Sequence, residues 1–269
     1  MDQRIICIVA NQRAGTTALQ RAIELTGMAI NYGEIFKTDA DEKAKSRGFF
    51  TDFARANNIQ LADVQSTEGA TAVAKNYIHW LKESAAPKHV LIDVKFNAWS
   101  ALSPVWRYPH EEPFFLKQLK QARAIFIFIW RESLVDQVLS NAISKELGIW
   151  HNLNSTRAGE RTIEVRIPEL SRLATLICRS EADMSRHLRG YSDKIVAKYE
   201  DLFEDGEISA AFADQFKKLT GLDFVYGKKG GIRQNSVPKE DIITNYAEAA
   251  AAINEIALKH RSRMLRENQ

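Results

Sequence analysis

The chain has few cysteines, dispersed histidines and no long apolar run, and each shortage excludes a class of protein. Two cysteines in 269 residues, Cys7 and Cys178, do not make a disulfide framework, and both are expected to be core thiols. The six histidines have no Cys or His neighbour at ligand spacing, so we predict no metal site. No uninterrupted apolar stretch approaches the roughly 20 residues that span a bilayer, so no integral membrane segment is expected.

The sequence also lacks a strong charge bias, a leader pattern and a linker. A net charge of +3 is too small for a nucleic-acid partner, because nucleic-acid-binding domains concentrate basic residues on one face. The apolar stretch at residues 5–10 has no cleavage-site pattern, which favours a cytoplasmic protein. No Gly/Ser/Pro-rich tract or repeat divides the chain, so we expect a single domain over residues 1–269.

Apolar runs rich in β-branched residues predict four strands, at residues 5–10, 90–96, 124–130 and 194–199. Helical patterns lie between and after them, at residues 17–26, 70–84, 114–121, 134–147, 167–189 and 209–220, with an amphipathic helix near the C-terminus. The strand runs are continuous rather than alternating, which indicates strands covered on both faces. The order predicts an α/β fold, an open P-loop-like parallel sheet flanked by helices on both faces.

The most informative segment is Gln12-Arg13-Ala14-Gly15-Thr16-Thr17, between the first strand and the first helix. A glycine turn in this place points backbone N–H groups and the positive helix end into one small volume, where an anion can bind. Thr16 or Thr17 is expected to cap the helix. A Walker A loop would need a second glycine followed by lysine, and this segment has neither. The alternative is a turn that is merely structural.

Four polar side chains lie at or just past the ends of predicted strands, where open α/β sheets bind ligands: Arg13, Lys95, Arg131 and Tyr199. The helix after Arg131 places Asp136, Ser140 and Ser144 on one polar stripe, so Ser140 can face Arg131. Arginine binds phosphate in a bidentate manner and a serine hydroxyl adds a donor, so this pair suits a second phosphate. The alternative is a helix with exposed serines.

The loop over residues 13–17 resembles the Arg/Lys-Ser-Gly-Thr-Thr loop with which sulfotransferases hold the 5′-phosphosulfate of 3′-phosphoadenosine 5′-phosphosulfate (PAPS), with Ala14 where Ser or Thr is usual. An arginine at a strand end and a serine in the next helix are similar to the family's 3′-phosphate site. The nine positions from Arg131 to Ser140 are one more than in the cytosolic members, which leaves Ser144 or a shifted helix start as alternatives.

Further segments, in order within residues 4–235, resemble bacterial carbohydrate sulfotransferases of the trehalose-sulfating and nodulation-factor type. They are Asn31-Tyr32-Gly33-Glu34-Ile35-Phe36, Leu147-Gly148-Ile149-Trp150-His151, Tyr199-Glu200-Asp201-Leu202 and Ile232-Arg233-Gln234. The resemblance implies transfer of a sulfuryl group from PAPS to a hydroxyl of a carbohydrate or glycolipid acceptor, with release of the desulfated nucleotide PAP and without a metal.

The resemblance also implies a role for each site residue. The phosphosulfate would be held by Arg13, Ala14, Gly15, Thr16 and Thr17, with Arg13 at the leaving oxygen. The rest of the donor site would comprise Arg131, Ser140, Tyr199 and Arg233. Glu34 is the expected catalytic base, with His110 and His151 as alternatives, and Lys95 would point towards the donor or the acceptor.

Two other functions stay open at this point, a P-loop-like nucleotide kinase and a non-catalytic nucleotide-binding subunit. The family often forms homodimers, and one apolar stripe can pack on its own domain or on a partner subunit: Ile243, Tyr246, Ala250, Ile253 and Ala257. The loop at residues 97–113 and the residue after it carry aromatic side chains that can contact an acceptor or pack the loop onto its domain: Trp99, Trp106, Tyr108 and Phe114.

Overall fold

A computed structural model of the chain describes residues 2–37, 49–104, 111–148, 162–225 and 238–267. Its strands are β1 (Ile5–Ala10), β2 (Ala29–Glu34), β3 (His89–Lys95), β4 (Ile125–Trp130), β5 (Lys194–Lys198), β6 (Phe203–Glu204) and β7 (Glu207–Ile208). Its α-helices are α1 (Thr16–Leu25), α2 (Phe50–Ala56), α3 (Thr67–Ala85), α4 (Phe114–Gln121), α5 (Leu134–Leu147), α6 (Ile167–Leu188), α7 (Ala210–Thr220), α8 (Lys239–Ile242) and α9 (Tyr246–Glu267).

The first five strands form one parallel sheet in the order β2-β3-β1-β4-β5. Every residue of β1 is buried, because β1 lies between β3 and β4 and has helices on both sides. One face of the sheet packs on α3, α4 and the end of α6, and the other face packs on α1 and α7. The predicted open parallel α/β fold with helices on both faces is therefore confirmed.

Strand β2 is absent from the sequence prediction, which placed residues 31–36 in a segment after the first helix. The strand lies at an edge of the sheet, and only Ala29 and Tyr32 within it are buried. Its register with β3 is irregular between Asn31 and Glu34, and Gly33 in the irregular part has φ +63°. A half-exposed edge strand with a bulge lacks the continuous apolar run by which buried strands are recognised.

Helices α5, α6 and α9 share a second apolar core beyond the sheet. The apolar stripe predicted for the last helix lies in this core, with Ile243 and Ile253 buried and Tyr246 and Ala257 packed against them. The stripe therefore packs against helices of the same chain and does not support a homodimer. The homodimer stays a prediction. The single domain over residues 1–269 also stays a prediction. No helix in the described ranges is long and apolar enough to cross a membrane.

At the amino-terminal edge of the sheet, His89 connects three strands. It is buried, its Nδ1 accepts the backbone N–H of Arg4 at 2.9 Å, and its own backbone N–H donates to the carbonyl of Met28 at 2.9 Å. Burial lowers the pKa of His89 below its ordinary value of 6.5. Protonation of Nδ1 would also remove the acceptor for the Arg4 N–H.

We expect the free energy of unfolding to fall as the pH drops below about 6.5 through the lowered pKa of His89, because the folded state favours the neutral imidazole and the unfolded state does not. Denaturant titrations between about pH 7 and pH 5 should show a weaker pH dependence in His89→Asn than in the wild type. The control is His79→Asn, since the imidazole of His79 is 70% exposed. An unchanged pH dependence in His89→Asn would contradict this expectation.

Candidate functional site

The loop between β1 and α1 forms a left-handed turn at the carboxyl edge of the sheet. Arg13 has φ +62° and Gly15 has φ +79°, and Gly15 is the N-cap of α1. The prediction that Thr16 or Thr17 caps this helix is wrong, because the helix begins at Thr16 and has no side-chain cap. Its first turn also contains no acidic residue. An uncapped N-terminus with this turn is suited to an anion.

Tyr199 lies against Gly15 and requires a glycine there. An added Cβ at residue 15 would lie 2.1 Å from Cε2 of the Tyr199 ring, which is far inside van der Waals contact. Tyr199 begins a short 3-10 helix (Tyr199–Asp201) directly after β5. The ring therefore supports the loop from the other side of β4. Tyr199 lies at the same edge of the sheet as the loop, as the sequence predicted.

Helix α5 holds the other side of the loop through a polar face. The Gln137 side chain donates to the carbonyl of Gln12 at 3.0 Å, and the Asn141 side chain donates to Oε1 of Gln12 at 3.2 Å. Nε of Arg13 donates to Oγ of Ser140 at 3.0 Å. Sequence reasoning did not identify Gln137 or Asn141, although their four-residue spacing places them on the same helix face as Ser140.

Of the two serines considered for the site, Ser140 faces the loop and Ser144 does not. The hydroxyl of Ser144 is fully buried and donates to the backbone carbonyl of Ser140 at 2.8 Å. Ser140 is also buried, so the interpretation of a helix with exposed serines is wrong. Ser140 contacts Arg13 rather than Arg131, so the predicted pairing of Ser140 with Arg131 is not seen among the described residues.

Arg131 follows β4 and reaches the same loop. One of its terminal nitrogens donates to the carbonyl of Arg13 at 3.3 Å, and its guanidinium carbon lies 4.5 Å from the centroid of the Tyr199 ring. Its Nε is buried and makes no hydrogen bond to the residues that the structure describes. Burial, and then the charge of Arg131, lower the pKa of Arg13. Two guanidinium groups held this close favour an anionic ligand, which would offset their mutual repulsion.

Glu200 is a site residue to which sequence reasoning gave no role. Its carboxylate lies 3.7 Å from Nε of Arg131 and accepts the backbone N–H groups of Glu132 at 2.9 Å and of Ser133 at 3.4 Å. Ser133 is the N-cap of α5. Glu200 therefore fixes the turn that presents Arg131, and the only sequence signal for it was its place beside Tyr199.

Lys95, the last residue of β3, is buried between three oxygens. Its ammonium donates to Oγ1 of Thr16 at 2.6 Å and to Oδ2 of Asp93 at 2.7 Å, and it lies 3.8 Å from Oε1 of Glu34. Gln20 of α1 donates to the same oxygen of Asp93 at 2.7 Å. Lys95 thus joins the start of α1 to the end of β2, and its place towards a donor or an acceptor stays a prediction.

Glu34 is the last residue of β2 and its side chain is 43% exposed. The register of the parallel sheet places the ends of β2, β3 and β1 side by side, so Glu34, Lys95 and the loop meet at one edge. The arrangement offers a solvent-accessible carboxylate next to an ammonium that contacts the loop. The carboxylate of Glu34 can accept a proton, and the ammonium of Lys95 can stabilise negative charge on a bound group.

The remaining predicted residues divide into two groups. Trp99 and Phe114 are buried in the core on the α3 and α4 face of the sheet, so they pack the chain together. Five predicted residues lie outside the described ranges: Trp106, Tyr108, His110, His151 and Arg233. Among the side chains that the structure describes, no three His, Cys, Asp or Glu residues are grouped to hold a metal ion.

No protein-family model and no curated protein sequence matches the chain. Among solved structures, the chain is similar to retinol dehydratase in complex with androsterone and inactive cofactor PAP. The identity is 13% and the TM-score is 0.33, over 93% of this chain and 65% of that protein. The chain thus spans less than two thirds of the length of that protein. A likeness of this size does not establish the family or the function.

Gly15→Ala is expected to destabilise the fold and to weaken anion binding, because a Cβ would strain the left-handed backbone and displace the Tyr199 ring. Gly27→Ala is the matched control, since Gly27 has φ +71° and open space around it. We expect Gly27→Ala to cost about 1 to 2 kcal/mol in the free energy of unfolding and Gly15→Ala clearly more. Urea titrations of both variants measure this difference, and equal costs would disprove the steric role of Tyr199.

Proposed function

We propose that the chain is a PAPS-dependent sulfotransferase that transfers a sulfuryl group to a hydroxyl of a carbohydrate or glycolipid and releases PAP. One observation carries the proposal: the uncapped start of α1 lies beside Arg13, Arg131 and Lys95, with the carboxylate of Glu34 at the same edge. The order of sequence segments that resemble bacterial carbohydrate sulfotransferases gives independent support.

The donor carries two anionic ends, and the site has two places suited to them. The 5′-phosphosulfate fits the α1 N-terminus, where the backbone of Ala14, Gly15, Thr16 and Thr17 is next to Arg13. The 3′-phosphate fits Arg131, whose guanidinium reaches the same loop over the Tyr199 ring. Ser140 orients Arg13 between the two places. Arg233 would extend the second place, by resemblance alone.

The donor would supply an activated sulfuryl group whose bond to the 5′-phosphate breaks as a bond to the acceptor oxygen forms. Glu34 would take the proton that the acceptor hydroxyl loses, and the leaving electron pair would remain on the phosphate. Arg13, Lys95 and the loop amides would offset the negative charge there. Lys95 suits this role because contacts with Thr16 and Asp93 fix the position of its ammonium beside the loop.

A nucleotide kinase is less well supported by the same residues. P-loop enzymes hold Mg²⁺ with a loop hydroxyl and a strand-end carboxylate. Here the ammonium of Lys95 lies between the hydroxyl of Thr16 and the carboxylate of Asp93, where it supplies a positive charge without a metal. A non-catalytic nucleotide-binding subunit would have no use for a carboxylate beside that ammonium, and Glu34 lies there.

Donor binding can be tested by comparing the affinities of PAP and adenosine 5′-phosphate in calorimetry without Mg²⁺. We expect PAP to bind more tightly and Arg131→Met to lose about 10- to 100-fold of that preference, because a hydrogen-bonded charge pair contributes about 1.5 to 3 kcal/mol. The control is Arg21→Met, which removes an exposed arginine on α1. Equal binding of the two nucleotides by the wild type would exclude the assignment of Arg131.

Catalysis can be tested with radiolabelled PAPS and a panel of glycans and glycolipids. Glu34→Gln is expected to lower the rate of label transfer by about 10²- to 10⁴-fold, because the hydroxyl loses its base, while PAP binds as tightly as before. Glu24→Gln, an exposed carboxylate on α1, is the control. If Glu34→Gln keeps its full rate, Glu34 is not the base. If the wild type binds PAP but labels no acceptor, the non-catalytic alternative is favoured.

A further inference from the structure

A buried ion pair joins helix α9 to helix α6. A terminal nitrogen of Arg261, on α9, lies 3.0 Å from Oε2 of Glu181, on α6, and both residues are buried. Burial raises the pKa of Glu181 to about 7, although the Arg261 guanidinium opposes this rise. The two residues are 80 positions apart in the sequence. Because the burial of two charges costs desolvation free energy, such a pair often serves a purpose other than stability.

Arg261 also contacts the turn that presents Arg131. Its other terminal nitrogen donates to the backbone carbonyl of Glu132 at 2.5 Å, and its guanidinium carbon lies 5.5 Å from the centroid of the Trp130 ring. Residues 130–132 are the end of β4 and the start of the turn before α5. Arg261 therefore holds the two neighbours of Arg131 in the chain.

The same turn is held from its other side by Glu200, which accepts the N–H groups of Glu132 and Ser133. The peptide units around Glu132 thus donate to a carboxylate after β5 and accept from a guanidinium on α9. Such a two-sided arrangement fixes the direction in which the Arg131 side chain leaves the backbone. Because Arg131 lies over Tyr199 and touches the loop at residues 12–17 (the donor loop of the proposed function), a small rotation of this turn would move it away from both.

The helix that carries Glu181 also reaches the start of the donor loop. The hydroxyl oxygen of Ser180 lies 3.2 Å from Oδ1 of Asn11 and 2.7 Å from the carbonyl of Leu176, and the side chain of Asn11 donates to the carbonyl of Ile177 at 3.4 Å. Asn11 directly follows β1. Ser180 and Glu181, which are adjacent on α6, therefore contact the start of the donor loop and Arg261, respectively.

We propose that Arg261, held in place by Glu181, is a positioning residue for Arg131, so that the C-terminal helix sets the recognition of the 3′-phosphate. The 3′-phosphate assignment rests on the proposed function. The positioning of the turn by Arg261 does not, since it follows from contacts with the backbone of Glu132. The expected defect is selective, because Arg131 meets only one end of the nucleotide.

The test uses two variants, because Arg261→Met alone would leave Glu181 as a buried group without its partner. The double variant Glu181→Leu with Arg261→Met removes both charges, a replacement that buried ion pairs often tolerate. Arg261→Lys keeps the charge next to Glu181 but cannot bond to two oxygens in the fork geometry of arginine. Lys259→Met, which removes an exposed charge from the same helix, is the control.

Two measurements decide the outcome. Amide hydrogen exchange of residues 131–134 should be at least about tenfold faster in the double variant and in Arg261→Lys than in the wild type and in Lys259→Met, at matched global stability. Calorimetry should show PAP binding about 10- to 100-fold more weakly to both variants, with adenosine 5′-phosphate unchanged, because a misplaced side chain loses its ligand contact.

A merely structural role predicts a different pattern. It would weaken both nucleotides equally or neither, and any faster exchange would be spread over the whole chain. Either result would overturn the proposal, as would unchanged exchange at residues 131–134. If the wild type binds no PAP, the proposed function is wrong, and the exchange rates alone decide whether Arg261 holds the turn.

Discussion

The site depends on one steric condition, which is that residue 15 carries no side chain. The ring of Tyr199 fills the space where a Cβ of Gly15 would lie, so the loop between β1 and α1 rests directly on the segment after β5. Strand β4 lies between β1 and β5, so this contact spans two strand spacings, about 10 Å. Arg131 emerges from the strand that is bridged in this way, and its guanidinium lies over the same ring.

The positive charges of the site are each held by other groups of the protein. Lys95 is held by Asp93 and Thr16, and Arg131 has Glu200 beside it and the carbonyl of Arg13 in front of it. Side chains fixed in this way lose little freedom when an anion arrives, and they need no rearrangement as charge develops. The nearby carboxylates also reduce the repulsion among the cations, which would otherwise destabilise the fold.

The sequence predicted the central strands and the long helices because their signals are local. Buried β1 has a continuous apolar run, and α5 was predicted with its observed bounds. The convergence of Arg13, Lys95 and Arg131 also followed, since parallel strands bring their carboxyl ends to one edge. The edge strand that carries Glu34 was missed because it has no apolar periodicity. The partners of Glu200 and Arg261 were missed because contacts between residues far apart in the chain leave no local pattern.

The two halves of the site differ in how firmly the fold constrains them. The loop, Lys95 and Arg131 lie on or beside the three inner strands, where each backbone is paired on both sides. Glu34 ends a strand that is paired on one side only and follows an irregular register. Insertions and substitutions around Glu34 can therefore accumulate without disturbing the inner strands. In evolutionary terms, the fold separates a half of the site that is costly to change from a half that can diversify.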